Sequence, residues 1–164
     1  MARAFRKTGY IQAAARVRAG PSPARQGSRP LFDPPGCRVV AVSDMRSDRL
    51  TQVQQRFTTI KTTTDYRELL TDSTIDAVVV ATPASTHFDL AMQALAAGKH
   101  VFVEKPMTTS VEQGERLVEY AARCQQIIMV DHTFVFTGAV RKIKELVETD
   151  QLGQLYYYDS VRVN

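Results

Sequence analysis

The sequence predicts an α/β fold built on a doubly wound parallel sheet, and three observations predict it. From residue 36 onward, short β-branched runs alternate with segments of helical periodicity, the pattern of strands joined by crossover helices. The run DAVVVATP (76–83) is continuously apolar at its centre, which suits a strand covered on both faces. Polar groups gather where such runs end, in SD, ATPASTH and EKP, and in open sheets of this kind ligands bind outside the carboxyl ends of the strands.

The elements follow in order. CRVVAVSD (37–44) reads as a strand, and the helix after it carries Leu50, Val53 and Phe57 on one face. A weak strand over 60–63 leads to a short helix, where Asp65 and Glu68 have capping-box spacing. After DAVVVATP, a helix from about Thr86 places Phe88, Met92 and Leu95 on one face and stops at Gly98, which suits a left-handed C-cap. HVFVE (100–104) returns as a strand, and Pro106 ends it because proline has no N–H to give a ladder. Ser110 and Gln113 then cap a helix that runs to about Cys124, and IIMVDHTF (127–134) is a further strand. Residues 137–149 form an amphipathic helix with Val140, Ile143 and Leu146 or Val147 inward. Gly153 ends that helix, and QLYYYDSVRVN (154–164) alternates like the opening strand of a second sheet.

Residues 1–35 obey none of this. They hold five of the chain's seven prolines, and their Ala-rich stretches lack clear periodicity. The expected organisation is therefore an atypical basic Pro/Arg-rich segment over 1–35, disordered or misframed, an α/β domain over 36–136, and the beginning of a second domain over 137–164.

Charge narrows the function classes. Residues 1–32 carry seven lysines and arginines and no acid, which leaves 14 basic and 17 acidic residues in the remainder. That balance gives no electrostatic footprint for nucleic acid. No run approaches the roughly 18 apolar residues of a membrane helix, and no secretory pattern opens the chain, so a soluble, cytoplasmic protein is expected. Cys37 and Cys124 match no metal spacing and read as buried free thiols, and no metal site is expected.

Three strand ends carry candidate chemistry. Asp44 can accept hydrogen bonds from the ribose hydroxyls of NAD and would repel a 2′-phosphate, or it can serve as an N-cap, although Ser47 is better placed for that. His87 stands at the head of a helix, either as a surface or capping residue or as a hydrogen-bonding partner for a ligand. Glu104, Lys105 and Pro106 stand in a row after an apolar strand, so that Lys105 is either a solvated loop residue or a cation able to hold and polarise a substrate hydroxyl.

CRVVAVSDM, YRELL, IDAVVVATPASTHFDLAMQALAAGKHVFVEKP and LGQLYYYDSVRVN, in this order and spacing, resemble the Gfo/Idh/MocA family of NAD(P)-dependent oxidoreductases over residues 36–164. The resemblance implies a Rossmann-like cofactor domain that binds NAD, with NADP possible. It implies oxidation of a sugar or nucleotide-sugar hydroxyl, and relatives that are homo-oligomeric. It places Lys105 beside the nicotinamide as the group assisting proton transfer, with Glu104 and Pro106 shaping the turn. Asp44 would meet the adenosine ribose, and Thr82, Pro83 and His87 would line the cofactor cleft.

The chain departs from the family's pattern where a first strand and a GxGxxG turn are expected. That window reads VRAGPSPARQGSRPLF, in which Gly20 and Gly27 are wrongly spaced and Pro21 and Pro23 lack the N–H donors that a pyrophosphate needs. The expectation is a sheet without its normal first strand, with unpaired edges at its centre. The family's second domain, with its own acid-base residue, is not in the sequence, and His132 is no evident substitute. An incomplete enzyme with little turnover is expected; the alternative is a non-catalytic interaction module that has lost cofactor binding.

Overall fold

The computed structural model describes the backbone of residues 11–17 and the whole of residues 37–161. The other parts of 1–35, for which the sequence predicts disorder or misframing, lie outside the described residues. Six strands form one sheet: β1 (Ile11–Val17), β2 (Cys37–Ser43), β3 (Lys61–Thr63), β4 (Ala77–Ala81), β5 (His100–Val103) and β6 (Ile128–Val130). Their spatial order is β3-β2-β1-β4-β5-β6, the order of a doubly wound dinucleotide-binding sheet. The helices are α1 (Ser47–Arg56), α2 (Arg67–Thr71), α3 (Ala84–Ala96), α4 (Val111–Arg123) and α5 (Gly138–Glu148).

The expected gap at the centre of the sheet is filled, which corrects the sequence reading. β1 lies between β2 and β4, and it runs antiparallel to both. Two facing strand edges present rows of unpaired N–H and C=O groups, and the proline-free segment IQAAARV satisfies them through its backbone, whatever its side chains. The reversal has a chain-level reason. A parallel β1 would need a crossover connection, of a dozen or more residues and usually a helix, to bring the chain back to the start of β2. Val17 instead pairs with Cys37, so the chain leaves β1 and enters β2 at the same end of the sheet.

The remaining pairings, β2 with β3, β4 with β5 and β5 with β6, are parallel, as the apolar runs predict. Successive side chains of a strand point to opposite faces, and the core divides accordingly. Val78 and Val80 join Leu69, Leu95, Val103 and Leu117 in one cluster, while Val79 joins Val39, Val42, Leu50 and Ile60 in another, Val39 and Val42 sharing a face because the register with β1 shifts between them at Val40. Both faces of the sheet are therefore covered. Lys99 is also buried; its ammonium donates to the carbonyls of Asp72 (2.7 Å) and Ile75 (2.9 Å), which lie before β4.

Caps explain where the helices begin and end. Ser110 accepts from the Gln113 N–H at 3.3 Å at the head of α4, as its spacing predicts. The Ser110 hydroxyl also holds the Glu112 carboxyl below its usual range. Gly98 adopts φ +74 after α3, where a side chain would be strained. Two expected caps do not form. Asp65 accepts from the Arg67 N–H at 3.0 Å in a turn that precedes α2, not in a capping box. The N-cap of α1 is Arg46 rather than Ser47, and its N–H is taken by Asp44 at 2.8 Å. Cys37 and Cys124 form no disulfide and are half-buried, not buried.

The chain falls into two compact units, the second beginning at His132. β6 stops at Val130, shorter than expected, and a 3-10 turn over Thr133–Phe136 follows. In the second unit, α5 carries the expected apolar residues, but Val140, Ile143 and Val147 remain 37%, 41% and 42% exposed instead of turned into a core. Residues 154–161 form no strand, because alternation alone does not make one without a partner edge. No helix among the described residues is long and apolar enough to cross a membrane.

Candidate functional site

The carboxyl ends of the parallel strands bring most of the singled-out residues to one edge of the sheet. Asp44 follows β2, Thr82 and Pro83 follow β4, and Glu104, Lys105 and Pro106 follow β5. The ladder holds these exits in register: the Glu104 N–H donates to the Val80 carbonyl at 2.9 Å, and the Asp131 N–H donates to the Val103 carbonyl at 2.9 Å. Asp131 is buried at the end of β6, next to the Lys105 turn. It is absent from the residues that the sequence singles out, although an acid closing an apolar run is the same signal that marks Asp44.

Lys105 is exposed, and its ammonium makes no hydrogen bond or ion pair with another described residue. Its own N–H donates to Glu104 Oε2 at 3.1 Å, which curls the Glu104 side chain back onto the turn. The Lys105–Pro106 peptide is cis. A cation with free donors at a strand exit can meet the oxygen of a bound hydroxyl.

Thr82 and Pro83 are half-buried at the β4 exit. The Thr86 hydroxyl donates to the Pro83 carbonyl at 2.8 Å, so its 2.7 Å contact with Thr82 is a bond donated by Thr82. Thr82 Oγ1 keeps lone pairs to offer to a ligand.

His87 behaves differently from both expectations. It is 1% exposed, so it is no surface residue, and both ring nitrogens face backbone carbonyls: Nε2 lies 2.8 Å from Thr82 O and Nδ1 2.7 Å from Pro106 O. No ring nitrogen is left for a ligand. His87 stands in the first turn of α3 directly behind the β4 exit, where the helix packs on β4 and β5, and helical periodicity alone could not reveal that the ring turns inward.

Asp44 is also more enclosed than expected. Oδ1 accepts from the Arg46 N–H, and Oδ2 lies 3.5 Å from Arg49 Nη1 without forming a hydrogen bond. The side chain has no exposure, while Arg49 keeps 14%. An unfilled acceptor on a buried carboxylate fits a ribose hydroxyl, but one could reach it only if Arg49 gave way.

The geometry answers whether a nicotinamide dinucleotide fits this edge. Lys105, which the resemblance sets beside the nicotinamide, Thr82, which it sets in the cofactor cleft, and Asp44, which it sets at the ribose, all follow strands along this edge. The pyrophosphate end does not fit. A dinucleotide's phosphates sit on the turn and helix N-terminus that follow a first strand at the carboxyl edge. Here β1 begins at that edge, with Ile11 beside Ala81 and Gln12 beside Ser43, and its carboxyl end lies at the opposite edge beside Cys37. His132, outside this unit, is exposed. Among the described residues, no cluster of His, Cys, Asp and Glu could hold a metal ion.

Comparison with known proteins gives the lineage of this arrangement. The sequence model of the oxidoreductase family GFO_IDH_MocA, with its NAD-binding Rossmann fold, matches residues 17–132. The chain is 35% identical over 124 residues to the scyllo-inositol 2-dehydrogenase (NAD(+)) of Bacillus subtilis, covering 76% of this chain and 36% of that protein. It is 30% identical over 117 residues to the scyllo-inositol 2-dehydrogenase (NADP(+)) IolW of the same organism, covering 71% of this chain and 33% of that one. Among solved structures it is similar to KijD10, a 3-ketoreductase from Actinomadura kijaniata crystallised with NADP and TDP-benzene. That match has a TM-score of 0.62 and 33% identity, and covers 68% of this chain and 34% of that structure. The chain thus spans about a third of the length of the relatives it matches.

Proposed function

Because the chain belongs to the Gfo/Idh/MocA family of NAD(P)-dependent oxidoreductases, we propose that it carries part of the cofactor domain of an enzyme oxidising a hydroxyl of a sugar or nucleotide sugar. The redox change in such an enzyme belongs to the nicotinamide, which accepts a hydride when bound. What this chain contributes is Lys105. In its neutral amine form the Lys105 Nζ accepts the proton that leaves the substrate hydroxyl as the carbonyl forms, and the resulting ammonium, which no other described residue occupies, hydrogen-bonds the carbonyl oxygen. Thr82 offers an acceptor at the neighbouring exit, and Glu104 and Pro106 set the shape of the turn. Asp44 is the candidate for the adenosine ribose, and its carboxylate favours NAD over NADP.

The single observation that carries this reading is the free lysine directly after β5, a strand whose exit is held in register with those of β4 and β6. A chimera tests it. Residues 37–131 would replace the corresponding segment of the Bacillus subtilis scyllo-inositol 2-dehydrogenase, and Lys105→Ala would then be compared with the parent chimera. Loss of a positioned proton-transfer group lowers kcat by about 100-fold or more; an unchanged kcat removes Lys105 from the chemistry.

The reversed β1 favours a second reading for this chain in isolation, that of a module without dinucleotide binding. On that ground the chain by itself is expected to show little or no turnover. Robust NAD reduction by the purified chain with an inositol or a sugar would overturn this.

A further inference from the structure

The turn that carries Lys105 is poorly secured by its own backbone. The ladder's last bond into it is the Glu104 N–H to Val80, and the next anchor is the Ser110 cap of α4. Between them, no backbone–backbone hydrogen bond joins residues 105–109 to another described residue. Within the turn, Lys105 N–H bonds its neighbour Glu104, and Thr108 Oγ1 donates to the Ser110 carbonyl at 2.8 Å. Met107 packs against the core and lies close to Gly114 of α4, where a Cβ would stand 3.2 Å from its Cε. The link from the backbone of the turn to the exit of the neighbouring strand is the buried imidazole of His87, which spans Pro106 O and Thr82 O.

We propose that His87 is a positioning residue for Lys105: it ties the Lys105–Pro106 turn to the exit of β4 and so fixes where the lysine stands along the strand ends. A carbonyl oxygen only accepts, so the tie to Pro106 needs a proton on Nδ1; a neutral ring carrying that proton cannot also donate to Thr82 O, and the tie then runs from Pro106 through the ring to the first turn of α3, which follows Thr82 and Pro83. That bond restrains the residue directly after Lys105, in a stretch otherwise held by the packing of Met107 and by the side-chain hydrogen bonds of Thr108 and Thr109 towards the head of α4. The relevance to catalysis rests on the reading of Lys105 given above, but the tie is a property of the turn and is measured without turnover.

The test uses two substitutions that separate the ring's two bonds. The amide nitrogen of an asparagine at 87 falls near the place of Nδ1 and can still serve Pro106, whereas that of a glutamine falls near Nε2 and serves Thr82. Backbone 15N relaxation of Lys105, Met107 and Thr108 is the readout. In the parent these amides should show order parameters near about 0.85, typical of rigid backbone. His87→Gln should drop them below about 0.6, the flexible range, while His87→Asn keeps them near the parent value. A residue that merely fills space would give the two variants the same effect, and equal loosening, or a rigid turn in His87→Gln, overturns the proposal. If His87→Gln does not fold, the ring nitrogen spectrum of the parent decides: a proton on Nδ1 that resists exchange supports the tie, and an Nδ1 without a proton excludes it. Failure here would leave the role of Lys105 untouched, and an inert Lys105 in the chimera would leave the tie standing.

Discussion

The two halves of the sheet have fared differently. From β4 to β6, three parallel strands are joined by α3 and α4, and Thr82, Lys105 and Asp131 leave them at one edge. From β1 to β3, the strands occupy the usual places, but the central one runs backwards and the acid at the exit of β2 is closed over by Arg49. The difference teaches that this edge is assembled from separable parts. The lysine turn depends on α3, α4 and their packing on β4 and β5, none of which requires the phosphate-binding turn that normally follows the first strand. A sheet can keep the lysine turn after β5 while the place of its first strand is taken by one of reversed direction.

The halves nevertheless share a core, since Ala41 of β2 packs in the same cluster as Val78, Val80 and Leu117. Leu117→Ala should therefore cost about 2–5 kcal/mol, the range for removing a buried leucine side chain from a packed site. If hydrogen exchange shows protection lost in β2 as well as in β4 and β5, the halves fold as one unit; loss confined to β4–β6 would make them independent. Arg49→Met probes the other half. It leaves Asp44 as a buried carboxylate without its cation, and should cost about 3 kcal/mol, the low end for breaking such a pair because Arg49 keeps 14% exposure. A neutral or stabilising result in urea unfolding would mean that Asp44 is held by the Arg46 N–H alone.

A smaller effect is expected at the cap that ends the lysine segment. Ser110→Ala should cost about 1 kcal/mol, as loss of an N-cap does. It should also let the Glu112 carboxyl titrate at higher pH, because the Ser110 hydroxyl is the main cause of its lowered pKa. The sign follows from linkage. A carboxyl lowered in the folded state adds stability above its unfolded pKa and loses it as pH falls through the folded value, so the variant should lose less stability on acidification than the parent. NMR titration of Glu112 checks the direction.

Much of this is legible in the sequence for a physical reason: buried parallel strands are written in β-branched residues. DAVVVATP, HVFVE and CRVVAVSD are the strands they read as, and Ser110 with Gln113 caps α4 as their spacing says. Lys105 is visible because charge and proline directly after an apolar strand mark an exit. β1 is not, because an alanine-rich segment carries no period of its own and is drawn into the sheet by its neighbours' open edges. His87 misleads because helix periodicity reports which face a residue lies on, not that two carbonyls from different exits converge there. The apolar stripe of α5 and the alternation after Gly153 read as buried elements, although pattern states only what a segment could bury.

The measurement that tests the central claim most directly is calorimetric titration of the purified, folded chain with NADH and with NADPH. With the pyrophosphate end replaced by a reversed strand, neither cofactor should bind more tightly than about 1 mM, some 4 kcal/mol weaker than micromolar binding. Micromolar binding of NADH would contradict the account, because it would require a phosphate seat that a first strand of this direction does not supply.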